Sequence, residues 1–305
     1  MNRIVCPVDF SESSRHGTTL ALAVARWFGA RLTLLYVHQF GPSLIGVGPA
    51  AVVSQPTLFS DDERRTLTAT LRTFGGVDDA SQGMVDTVIV EDMSVAGGIL
   101  DRATEINADL IVIGTQGRSR LERFGLGSVA EAVLRKASCP VLAVPPHVPG
   151  SGLANPAAIR HVLCPLDFSP HSIDALPQAL LWASKAGARV TALHVAEISP
   201  ELAEPPLPEF EAYRDRVVSD ARRHLADAVR NAAPQAPIEQ RLAVGRPAVE
   251  ILRYATHHQA DLIVMGIRGR SQIDMAFFGS TTNRVVRQAT CPVLTAHVRQ
   301  ARAAS

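Results

Sequence analysis

Two short stretches of this chain carry residue types suited to holding phosphate. Gly114-Thr115-Gln116-Gly117 is followed, after nine residues, by Gly127-Ser128. Gly266-Ile267-Arg268-Gly269 is followed, again after nine residues, by Gly279-Ser280. Each stretch ends an apolar run that reads as a β-strand. A glycine there lets a ligand approach the backbone with no Cβ in the way. Gly127-Ser128 also opens a helical stretch reaching about Lys136, with Val129, Val133 and Leu134 on its apolar stripe. A helix N-terminus presents unpaired N–H groups and about half a positive charge, which suits an anion. The Ser128 hydroxyl can donate to a phosphate oxygen. Arg118, Arg120 and Arg123 follow in the intervening loop, as Arg268 and Arg270 do in the second copy. A plainer role stays open: Ser128 and Ser280 also suit helix N-caps, and the glycines ordinary turns. Identical spacing over differing residues favours a shared ligand, although common descent would preserve it too.

The elements that must position these residues come in two sets, because the chain repeats itself. Val5-Cys6-Pro7-Val8-Asp9-Phe10-Ser11 recurs as Leu163-Cys164-Pro165-Leu166-Asp167-Phe168-Ser169, and Gly29-Ala30-Arg31 as Gly187-Ala188-Arg189. Ala108–Val112 matches Ala260–Val264, and Cys139-Pro140-Val141-Leu142 matches Cys291-Pro292-Val293-Leu294, at an offset six residues shorter. The first copy therefore carries extra loop in its middle. Apolar runs at Ile4–Val8, Leu32–Val37, Thr87–Val90, Leu110–Gly114 and Val141–Val144 suit a parallel sheet covered on both faces. Helical stretches separate them, the clearest at Glu209–Asn231. The expectation is an α/β protein of two repeated doubly wound domains, residues 1–146 and 159–300. Each would be a five-stranded parallel sheet with helices on both faces. The Pro- and Gly-rich segment 145–158 is the linker. The last strand of each repeat is expected at a sheet edge, where the two copies would pair as a pseudo-twofold.

Composition narrows the function. The 30 basic and 29 acidic side chains of 305 residues leave a net charge of +1, so no nucleic-acid partner is expected. Lys136 and Lys185 are the only lysines, and neither precedes Ser or Thr, which excludes a Walker A loop. No G-x-S-x-G elbow occurs. The sequence shows no membrane span and no signal-peptide core, and a cytoplasmic location is expected. The four cysteines fall into repeat-related pairs, Cys6 with Cys164 and Cys139 with Cys291, and read as small core residues. His257 and His258 are adjacent on a helix and point apart, a poor metal pair. The apolar, Pro-rich stretch Gly41–Pro56 reads as a loosely packed insertion rather than a dinucleotide fingerprint, with a flap or a partner patch as the other readings.

The opening C-P-x-D-F-S, the A-D-L-I-V-x-G strand, the G-x-x-G-x₉-G-S signature and the closing C-P-V-L together resemble a tandem universal stress protein over nearly the whole chain. The resemblance implies a nucleotide-binding α/β fold with ATP and Mg²⁺ as cofactors, and a sensor or regulator in stress adaptation. It implies an adenosine site of Pro7, Val8, Asp9 and Val37. The phosphate site would be Gly114, Gly117, Arg118, Gly127, Ser128 and Val129, with Ile113 nearby. In the second repeat it implies Pro165, Leu166, Asp167, Val195, Met265, Gly266, Gly269, Arg270, Gly279, Ser280 and Thr281. Asp9 and Asp167 would accept from ribose hydroxyls or help hold Mg²⁺; capping the following helix is their other role. A slow ATPase or nucleotidyl-transfer enzyme, or a module for AMP or cyclic AMP, are the alternatives. A regulatory protein partner and a homo-oligomer through some further surface are also expected. Two departures stand out. Gly245-Arg246-Pro247 keeps the family's G-x-P element, but Met93-Ser94-Val95 does not, and Thr281 replaces the usual valine.

Overall fold

The computed structural model describes residues 1–40, 43–45, 52–54, 59–78, 81, 83–117, 125–146, 158–197, 208–267 and 279–296. The first repeat runs β1 (Arg3–Pro7), α1 (Glu12–Phe28), β2 (Arg31–Gln39), β3 (Ser43–Ile45), β4 (Val52–Ser54), α2 (Asp61–Phe74), β5 (Val85–Asp92), α3 (Val95–Glu105), β6 (Leu110–Gly114), α4 (Ser128–Lys136) and β7 (Val141–Val144). The second runs β8 (His161–Pro165), α5 (Pro170–Ala186), β9 (Arg189–Ala196), α6 (Pro208–Ala232), β10 (Ile238–Val244), α7 (Pro247–His257), β11 (Leu262–Gly266), α8 (Ser280–Gln288) and β12 (Val293–Ala296).

The repeated sequence blocks are the punctuation of these elements. Ser11 and Ser169 cap α1 and α5, each accepting from a backbone N–H three residues on. Gly29 and Gly187 end those helices at φ 64° and 67°, a conformation glycine adopts without strain. The third strand is longer than the expected Thr87–Val90. As an edge strand, β5 carries Asp86, Glu91 and Asp92 at its two ends, which hides its extent from a purely apolar count. The insertion in the first repeat includes an antiparallel pair, with Ser43 opposite Ser54 and Ile45 opposite Val52. The remainder of 41–56 lies outside the described residues.

All ten long strands form one sheet, ordered β10-β9-β8-β11-β12-β7-β6-β1-β2-β5. In this sheet the pairings within each repeat are all parallel. Between repeats β7 and β12 pair antiparallel, with Leu142 opposite Leu294 and Val141 opposite Thr295. The last strand of each repeat is thus its edge, and the other repeat covers it. Every residue of both strands is buried. Two apolar cores flank the sheet, and both cross the repeat boundary. One lies under α1, α2, α5 and α6, with Leu20, Leu71, Leu176 and Leu225. Its seam is aromatic: Trp182 meets Trp27 edge-on and lies 5.6 Å from Phe28. The other lies under α3, α4, α7 and α8, with Ile99, Val133, Ile251 and Val285. All four cysteines are buried and free, and burial pushes each thiol up to about 12.

Candidate functional site

In the first repeat the chain goes from β1 to β2 on one side and returns to β6 on the other. The strand order therefore reverses between β1 and β6, and equivalently between β8 and β11. A doubly wound sheet opens a crevice at such a point, beyond the carboxyl ends of its strands. Both repeats have a cavity there, of about 320 Å³ in the first and about 570 Å³ in the second. Every described residue expected in the first site lines the first cavity: Pro7, Val8, Asp9, Val37, Ile113, Gly114, Gly117, Gly127, Ser128 and Val129. In the second, Pro165, Leu166, Asp167, Val195, Met265, Gly266, Gly279, Ser280 and Thr281 line theirs. Arg118, Gly269 and Arg270 lie outside the described residues.

The helix ends bear on the capping role left open for the serines. Gly127 and Gly279 occupy the N-cap positions of α4 and α8, with extended backbones and no side chain capping either helix. Ser128 and Ser280 are the first helical residues, so the N-cap role falls to the glycines. By contrast, Ser11, Ser60, Ser94 and Ser169 cap α1, α2, α3 and α5 through their hydroxyls. The first-turn N–H groups of α4 and α8 have no partner within their helices, and the residues that carry them line the cavities. Their dipoles add a positive field at the same place.

The strand-end glycines serve a different purpose from the one expected. A Cβ at Gly114 would stand 2.6 Å from Ser13 Oγ and 2.9 Å from the Ser13 carbonyl carbon. At Gly266 it would stand 2.7 Å from the His171 carbonyl carbon. The absent side chain admits the first turn of α1 or α5, not a ligand; only the glycine backbone faces the cavity. Gly117 is the one whose missing Cβ borders the site, 3.1 Å from Asp9 Oδ2.

Asp9 has two oxygens with two surroundings. Its Oδ1 accepts from the Ser11 amide at 3.0 Å and the Ser11 hydroxyl at 2.6 Å, and Ser11 in turn caps α1. Asp167 repeats this with Ser169 at the same distances. The capping role is therefore real but indirect, through the serine. The turn also forces Phe10 to φ 62° and Phe168 to φ 65°, which costs a non-glycine residue about 1–3 kcal/mol. Strain at the same place in both copies marks a conformation that the surrounding packing holds. Among the described residues, no group of three His, Cys, Asp or Glu is arranged to hold a metal. Asp9 and Asp167 fit only an ion whose other ligands come from a phosphate chain or water.

The edge of the first site is built without the G-x-P element. Asp92 accepts from the Ser94 amide at 2.8 Å, Ser94 caps α3, and Val95 lines the cavity. In the second site Gly245, at φ 146°, leads into Pro247, which opens α7 and lines the cavity. Residues not expected from the sequence include Ser14, Tyr36, Ile99 and Gln116 in the first cavity. In the second they include Phe168, His194, Glu197, Asp220 and His224. Tyr36 and His194 were legible in principle, since each precedes an expected lining valine on its strand. Asp220 and His224 sit on α6, more than fifty residues from Asp167, and no local spacing announces them.

Comparison with known proteins follows the same division of the chain. The family model described as the Universal stress protein family matches residues 1–145 and 158–297. A universal stress protein of Mycolicibacterium smegmatis is 28% identical over 302 residues, covering 97% of both chains. Universal stress protein Rv2005c of Mycobacterium tuberculosis is 31% identical over 189 residues, 62% of this chain and 62% of that one. The match to that relative thus spans less than two thirds of its length. Among solved structures, a universal stress protein from Archaeoglobus fulgidus superposes with a TM-score of 0.66 at 20% identity, covering 97% of this chain and 98% of that one. At that identity the likeness speaks for the fold. Among the described residues no helix is long and apolar enough to cross a membrane.

Proposed function

The chain belongs to the Universal stress protein family, and from that premise we propose that each repeat binds an adenine nucleotide, ATP with Mg²⁺, and that the protein acts as a nucleotide-responsive regulator in the cytoplasm. The observation that carries the reading is the pair of helices that start after a glycine N-cap with no side-chain cap, α4 and α8, each opening on a cavity at a strand-order reversal. In the first site Val8, Val37, Ile99 and Ile113 supply an apolar slot for the purine. Asp9 accepts from ribose hydroxyls or shares the metal ion with the phosphates. The first-turn amides of α4 and the Ser128 hydroxyl hold the phosphate oxygens. Mg²⁺ would neutralise phosphate charge; the chain's own contribution is to orient the nucleotide and exclude water from the base.

The proposed role is binding rather than turnover. Phosphoryl transfer needs an oriented water and in-line charge stabilisation as well as a metal. Asp9 and Asp167 are committed on one oxygen to their turns. Phosphate release is therefore expected below about one per minute, well under the range of ordinary enzymes. Calorimetric titration with ATP and Mg²⁺, with a phosphate-release assay beside it, tests both halves. Sustained release near one per second, lost on blocking a site, would make this an enzyme.

A further inference from the structure

The two cavities differ in a way that family membership does not explain. The first is bounded by β2 and contains no residue of α2. The second continues past β9 onto the opposite face of the sheet, where α6 contributes Val217, Asp220, Ala221 and His224. The cause lies in three side chains. In the first repeat Phe10 packs against Tyr36 at 5.6 Å and edge-on against Phe74 at 5.2 Å, and Arg15 closes over Phe74 at 4.3 Å. That aromatic plug fills the space between β2 and α2. In the second repeat Phe168 is unchanged, but His194 stands where Tyr36 does, one residue beyond the strand pairing of Pro165 with Leu193. His224 takes the edge-on position against Phe168, at 6.0 Å. Imidazoles are smaller than the phenol and phenyl rings they replace, and the plug becomes a side chamber.

The lining of that chamber selects a ligand chemistry. Phe168 and His194 stack at 4.3 Å and 27°, one ring over the other, and both line the cavity, so a further planar ring can extend the stack. His194 Nδ1 lies 2.7 Å from the Leu166 carbonyl, so that nitrogen carries the proton and fixes the ring. Asp167 and Glu197 bring carboxylates, Asp220 adds one already paired with Arg223 on α6, and no arginine or lysine lines the cavity among the described residues. A second phosphate or carboxylate would be repelled there. A planar ring that is cationic or bears N–H donors is favoured, by stacking and by charge. The chamber is continuous with the cavity at the N-terminus of α8, so one ligand can span both. Resting on the nucleotide reading above, we propose that the second repeat binds a dinucleotide whose second ring is planar and cationic, with that ring on the Phe168–His194 stack, while the first repeat takes only a mononucleotide.

The test uses the full chain with the first site silenced by Gly117→Asp, which sets a second carboxylate beside Asp9. NAD⁺ and ADP-ribose, which lacks only the cationic ring, are titrated by calorimetry. NAD⁺ should bind at least tenfold tighter than ADP-ribose. Restoring the plug with His194→Tyr and His224→Phe should bring NAD⁺ to the level of ADP-ribose. His224→Phe alone, on the exposed side of α6, should remove part of the preference without touching the buried strand. Equal binding of the two ligands, or a preference that survives both substitutions, would overturn the proposal. Failure of ATP, ADP-ribose and NAD⁺ alike to bind the unaltered protein would instead overturn the nucleotide reading, and this inference with it.

Discussion

Three glycines of one motif have three different physical reasons for being glycine. Gly114 makes room for the backbone of α1, Gly117 borders Asp9, and Gly127 is an N-cap with φ −62° whose Cβ would meet the Thr115 carbonyl at 3.3 Å. Substitutions should separate these roles. Gly114→Ala forces a methyl against Ser13 and should destabilise the fold by about 1–3 kcal/mol, read by denaturant melts. Gly117→Asp sets a carboxylate beside Asp9 Oδ2 and should cost less stability than Gly114→Ala, whose methyl meets backbone, yet weaken ATP binding in the first repeat at least ~10-fold. The spacing of the motif was readable in the sequence; which glycine's missing Cβ borders the cavity was not, because that depends on where α1 crosses β6. The cysteines make a parallel case. With every thiol buried and raised to about 12, the native protein should resist thiol reagents near neutral pH, whereas all four should react in denaturant. Fast labelling of the native state would show that these strands open.

At the scale of elements, the contrast between helices with and without a side-chain cap carries the account. A serine hydroxyl closes α1, α2, α3 and α5, while α4 and α8 follow a glycine N-cap; α7, after Arg246, also has no side-chain cap. This contrast was partly legible, since Gly-Ser appears in the sequence, but which of the two residues is the cap is a backbone fact. Another element-scale feature escaped the sequence entirely. His161, buried at the start of β8, lies 3.0 Å from the His258 carbonyl and 2.9 Å from Thr191 Oγ1. Thr191 donates to Glu239, so the chain of contacts ties β8, β9 and β10 together. Desolvation holds the His161 pKa below its usual 6.5, against the pull of the His258 carbonyl. The folded state then binds fewer protons than the unfolded state below about pH 6.5. Stability should be flat above that pH, fall as pH drops from there toward the folded pKa, and level off below it. His161→Gln should flatten this segment of the stability–pH curve. An unchanged curve would assign the acid sensitivity elsewhere.

Taken whole, the molecule is two duplicated halves sharing one sheet. The apolar runs Val141–Val144 and Val293–Ala296 already pointed to edges that need cover, and the β7–β12 pairing supplies it. What the sequence left hidden is how much else crosses the seam: both cores, the Trp27–Trp182 contact, and an Arg287–Glu131 pair at 3.3 Å linking α8 to α4. That ion pair is partly exposed and contributes under about 1 kcal/mol, so the cores dominate. Residues 1–146 expressed alone should therefore dimerise or aggregate through β7 and the bared face of α1, as read by light scattering. A stable monomer would mean the halves do not need one another. The same seam places the helices that open both cavities in one body, with Glu131 in the first turn of α4 paired to Arg287 in the last turn of α8.

The central claim is that each half holds a nucleotide at its glycine-opened helix, and calorimetric titration of the full chain with ATP and Mg²⁺ tests it most directly. The account predicts a stoichiometry of two, falling to one in Gly117→Asp with the remaining site unaffected. Saturable binding that Gly117→Asp leaves unaltered, or no binding at all, would contradict it.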